Sequence, residues 1–137
     1  MLVLIFHNNN ANNSYRKLTK VEMSWIDKML ERNFIGKNIL REQVENSLVK
    51  MKDLDSCISL KFKITKNRIK KVPFRVRVPV EMTVFRDDFA PLSFLLHVID
   101  GHVDELEIYT ADGTKVNFDF DFEKSECIVK NNGDGSR

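Results

Sequence analysis

The sequence predicts an α+β domain, with two N-terminal helices packed on one face of an antiparallel sheet of about five strands. Three observations carry that expectation. Apolar residues recur at helical spacing from Leu18 to about Met51. After Asp55 the repeat changes to two, the period of a strand. The strand-like segments follow one another with short links, which makes neighbours antiparallel. One face of such a sheet is apolar and needs cover, and the two amphipathic helices supply it.

The first helix opens at a capping box. Thr19 and Glu22 have the T-x-x-E spacing in which the hydroxyl accepts from the Glu22 amide and the carboxylate reaches back. Leu18 and Met23 are spaced for a hydrophobic staple across that cap. Ile26, Met29 and Leu30 share one face, with Trp25 on its flank, and the helix should end near Arg32 or Asn33, ahead of Gly36. A second helix is expected from about Lys37 to Met51, with Leu40, Val44, Leu48 and Met51 as its stripe and Arg41 and Glu45 as an i,i+4 pair.

Ile58, Leu60, Phe62 and Ile64 then alternate with polar residues, and Val72 to Val84 alternates over seven apolar positions. Both read as strands, with TKNRIKK between them as a hairpin connection. Pro79 has no backbone donor, so the second strand lies at an edge or is bulged there. Residues 92–99 and 103–110 are two further strands. A last strand, Val116 to Phe122, would put Val116, Phe118, Phe120 and Phe122 on one face as core. If it neighbours the 72–84 strand, Arg75 and Arg77 can meet Asp119 and Asp121. The domain spans 15–130. Residues 1–14, with the asparagine-rich HNNNANNS, form a leader that is poorly ordered or adds a strand, and 131–137 form a disordered tail.

The stretch LLHVIDGHVDELEIYTADG, residues 95–113, concentrates the ionisable side chains. Asp100-Gly101 is a favoured type I′ pair. In the simplest register Ile99 faces His102, Val98 faces Val103 and His97 faces Asp104. Apolar parity slips between Val103 and Leu106, so a bulge is expected near Asp104 or Glu105. His97, His102 and Asp104 are the candidate polar cluster. They lack the HxH or HxxxH spacing of a metal site, and no serine or cysteine occupies a nucleophile elbow. The structural reading, a well-made hairpin, therefore outweighs a catalytic one. No cofactor or metal is expected, and Glu105, Glu107 and Tyr109 should face outward.

Charge divides along the chain. Lys61, Lys63, Lys66, Arg68, Lys70, Lys71, Arg75 and Arg77 fall within 17 residues that contain no acid, whereas Asp100 to Glu126 holds nine acids against two lysines. A solvated sheet face with internally paired rows explains this in part. The basic run, with Asp104, Glu105, Glu107 and Tyr109, is also the candidate partner-binding set. The net charge of +2 does not by itself argue for nucleic acid. Cys57 and Cys127 stand far apart and are expected as free buried thiols. MLVLIF is shorter than the apolar core of a signal peptide, about 7–15 residues, and lacks a basic start. A cytoplasmic location and no membrane span follow as expectations.

SYRKLT with Glu22, LREQVENSLV, RVPVE and the 95–113 stretch resemble a family of small, uncharacterised bacterial α+β domains, over roughly residues 14–116. The resemblance implies no catalytic residues. It implies a genomic setting beside secreted toxins or in mobile gene clusters. The expected function is a non-catalytic protein-binding domain, with an immunity-type protein that neutralises a toxin as one form of it. A nucleic-acid-binding module using the basic 61–77 hairpin and a small enzyme centred on His97 are the alternatives. The expected state is a monomer or an edge-strand dimer.

Overall fold

The computed structural model describes residues 14–118 and 120–130. Helices α1 (Lys20–Met29) and α2 (Lys37–Glu45) precede β1 (Ser47–Asp53), β2 (Cys57–Ile64), β3 (Val80–Val84), β4 (Leu92–Ile99), β5 (His102–Thr110) and β6 (Ser125–Val129). The strands form one antiparallel sheet of six, in the order β1-β2-β5-β4-β3-β6. The α+β class and the N-terminal helices match the expectation, and the sheet gains a strand. The expectations for residues 1–13 and 131–137 lie outside the described residues.

The capping box of α1 is present. Thr19 Oγ1 accepts from the Glu22 amide at 3.1 Å, and Glu22 Oε1 accepts from the Thr19 amide at 2.9 Å. Glu22 is buried, and a buried carboxylate must be paired. Arg16 supplies a two-pronged fork at 2.8 and 2.7 Å. The helix ends at Met29, earlier than expected, where Glu31 closes the last turn onto the Lys28 carbonyl.

The second helix is also shorter than the sequence predicts. It ends at Glu45, and the stretch holding Leu48 and Met51 is β1. Side chains terminate it. Asn46 Nδ2 donates to the Glu42 carbonyl at 2.8 Å, Ser47 Oγ to that of Gln43 at 2.6 Å, and Thr65 Oγ1 to that of Asn46 at 3.0 Å. These bonds satisfy carbonyls that would otherwise call for another helical turn. Arg41 reaches Asp27 of α1 at 2.6 Å, not Glu45.

Because β1 takes one side of β2, the 58–64 strand does not form a hairpin with the segment after it. Its other neighbour is β5. The strand expected over 72–84 is reduced to Val80–Val84. Pro79 ends the β3 ladder on its N-terminal side because it has no N–H to give. Among the described residues of 116–122 the expected strand is absent as well. Ser125–Val129 occupies that side of β3 instead. Phe118, Phe120 and Phe122 form an aromatic strap. Phe118 stacks on Trp25 with centroids 4.6 Å apart, and Phe120 meets Phe94 edge-on at 5.9 Å. The alternation thus marked apolar residues correctly but not a strand. Arg75 and Arg77 do not meet Asp121, whose carboxylate accepts from the Glu123 amide; Asp119 is outside the described residues.

Both helices pack on one face. Trp25, Ile26, Met29, Leu40 and Val44 close over Leu60, Phe94, Leu96, Leu106 and Ile108. Gln43, also fully buried, donates to the carbonyls of Lys70 and Gly101 at 2.7 and 2.9 Å and accepts from the Val103 amide at 2.7 Å. It ties α2 to the β4–β5 turn and to the segment that follows β2.

Candidate functional site

Strand alternation sends every second side chain to the face opposite the helices. On that face the pairing register sets Lys50, Lys61, Glu105 and His97 in one row across β1, β2, β5 and β4. The next row runs Lys52, Ser59, Glu107, Leu95, Glu81 and Ile128 from edge to edge. A third holds Cys57, Tyr109, Ser93, Thr83 and Glu126. No helix covers these rows among the described residues.

The β4–β5 turn has Asp100 at φ 52° and Gly101 at φ 81°, the doubly positive pair of a type I′ turn. Ile99 faces His102 and Val98 faces Val103 as expected, but the register then shifts and His97 faces Glu105. The bulge is where the slip in parity placed it, and Asp104 is the extra residue. The cluster of His97, His102 and Asp104 is therefore not assembled. Asp104 accepts from Lys61 Nζ at 3.0 Å. His102 lines a separate depression with Phe62, Arg68 and Lys71.

His97 instead joins Glu107 and Arg77. Its Nε2 lies 2.9 Å from Glu107 Oε1, and Arg77 Nε donates to its Nδ1 at 3.3 Å. A guanidinium only donates, so Nδ1 is the acceptor and Nε2–H points to Glu107. Beside them Ser59 Oγ donates to Glu105 at 2.5 Å, and Cys57 Sγ to Glu107 at 3.9 Å. Burial pushes the Cys57 thiol up, and Glu107 and Glu105 push it further. That thiol bonds to a carboxylate and not to the imidazole, so His97 is not placed to activate it. Both cysteines are free and half-buried. Among the described residues no group of three metal-ligating side chains converges.

The basic run is divided in two. Lys61 and Lys63 stand on the open face, where Lys63 lies 5.4 Å from the Tyr15 ring centroid, and Arg77 adjoins them through His97. Lys66 pairs with Glu42 of α2 at 2.8 Å. Arg68, Lys70, Lys71 and Arg75 cluster by the β4–β5 turn and make no ion pair among the described residues. Cys57, Ser59 and Leu95 escaped sequence reasoning as part of this face. The signal was their parity, opposite to that of Ile58, Leu60 and Leu96.

The model of one protein family, domain of unknown function DUF6984, matches residues 15–119. The chain belongs to the DUF6984 family. The DUF6984 match takes in both helices and β1 to β5, while β6 follows it. Nothing among curated proteins or solved structures matches the chain. No helix among the described residues is long and apolar enough to cross a membrane.

Proposed function

We propose that this domain is a non-catalytic protein-binding module and that the open sheet face is its binding surface. One observation carries the reading. A whole face of a six-stranded sheet sets Leu95, Tyr109 and exposed Ile128 among charges already held by one another. Five inter-strand spacings of about 4.8 Å, by strands about 25 Å long, span on the order of 600 Å² of flat surface. That approaches the roughly 800 Å² one partner contributes to a standard interface. Pairing of Lys61 with Asp104, His97 with Glu107 and Lys130 with Glu81 restrains these side chains before contact, which lowers the ordering cost of binding. Aromatic and aliphatic anchors within a polar surround match the anatomy of a protein interface.

The partner class this reading extends to is a toxin masked by an immunity-type protein in the cytoplasm. The test is affinity capture from the native host with the wild-type chain and with Tyr109→Ala and Glu107→Arg, followed by titration of whatever is retained. A partner bound at micromolar affinity or tighter, and lost with both variants while circular dichroism stays unchanged, is the expected result. Retention that both variants leave intact would remove the face from consideration.

A further inference from the structure

A second surface lies at the end of the sheet, apart from the open face. Between β2 and β3 the chain runs past the β4–β5 turn. It is fastened at two points, Val72 N–H to the Gly101 carbonyl at 3.0 Å and Val98 N–H to the Arg77 carbonyl at 2.7 Å. Five steps of chain from 72 to 77 span three steps from 98 to 101, so the segment bows away from β4. A groove of about 690 Å³ opens there, with Val72, Phe74, Val76 and Val98 in its walls. Pro73 has no amide to give, and the amides of Phe74, Arg75 and Val76 donate no hydrogen bond among the described residues. The rim carries Lys71 and Arg75 against a single acid, Asp100. Lys70 and Arg68 adjoin it, both exposed and unpaired among the described residues.

We infer that this groove receives an extended, acidic polypeptide segment from a partner protein. Unpaired amides on an extended stretch are what a strand added to a sheet uses. The apolar walls suit every second side chain of such a strand, and the surplus of cations suits carboxylates on the alternate ones. Nucleic acid suits the cations but not the apolar walls, and the Phe74 ring lies against Gly36 on one side, where a base cannot stack.

The experiment is fluorescence anisotropy on the full chain. The probes are a labelled ten-residue peptide of alternating Glu and Val, the same length of alternating Lys and Val, and a ten-nucleotide single strand. The Glu–Val peptide should bind, and the Lys–Val peptide should not. Arg75→Glu with Lys71→Glu should weaken binding at least tenfold, and Asp100→Asn, which suits the positive φ there, should tighten it several-fold. Tyr109→Ala should leave it unchanged, which separates this groove from the open face. Failure of the Glu–Val peptide to bind at millimolar concentration would overturn the inference. So would a stronger complex with the oligonucleotide, or no response to the charge reversals.

Discussion

Gln43 makes three hydrogen bonds from a position closed to solvent. Gln43→Ala strands the Val103 amide and the Lys70 carbonyl, while the Gly101 carbonyl keeps the Val72 amide, and each buried unpaired group costs about 1–3 kcal/mol. A loss of about 2–4 kcal/mol is expected, seen as a lower urea midpoint at unchanged slope. Glu22 is linked to pH. Burial raises its pKa, but the Arg16 fork and the Thr19 cap outweigh burial and hold it below its ordinary value of 4.5. Its folded pKa is thus below its unfolded one. Its contribution is complete above about pH 5 and disappears as pH falls through the folded value. Glu22→Gln should cost about 1 kcal/mol at neutral pH and flatten the acid limb of the stability curve, measurable by urea titration from pH 3 to 7. Of these two residues only Glu22 was legible in the sequence. T-x-x-E is a local signal, whereas the partners of Gln43 lie 27 to 60 residues away and nothing in its own neighbourhood announces them.

Gly36 sits between the two helices at φ +89°, and a Cβ there would fall 2.9 Å from Phe74 Cε2. Left-handed backbone alone costs an L-residue about 1–2 kcal/mol. Gly36→Ala should therefore lower stability by about 2 kcal/mol or more by thermal or urea unfolding, and the companion change Phe74→Leu should recover part of that loss. Elements were legible where one period had no competitor. Strands β2, β4 and β5 and the turn between the last two were of this kind. The stretch SLVKM satisfies both periods. Leu48 continues a helical stripe, while Ser47, Val49 and Met51 alternate, and the choice falls to Asn46 and to a threonine 19 residues further on. The 116–122 segment alternates as a strand does, but Ser125–Val129 holds the ladder on that side of β3, and Phe118 packs on Trp25 and Phe120 on Phe94 instead. The polar face shared this limit: its members could be read from parity, but the bulge at Asp104 decided which carboxylate met His97.

Across the whole molecule, the sheet's two outer edges are guarded differently. At β1, Arg16 and Val49 exchange backbone hydrogen bonds at 2.8 and 2.7 Å. At β6, Arg32 Nη1 donates to the Cys127 carbonyl at 3.1 Å. An unguarded edge is a template for another chain. Arg32→Ala should therefore raise the dimer fraction of concentrated protein in sedimentation velocity runs, with the wild-type chain remaining a monomer; equal sedimentation of the two would rule out this guarding role. The same arrangement puts Ser14 and Lys130 at opposite borders of the sheet. Tension applied through those two points pulls across the strands, so it loads the ladder bonds one after another instead of all together. The Arg16–Val49 pair and the Lys130–Pro79 bond would break first, and the fold should yield to stretching by peeling inward from both borders at modest force.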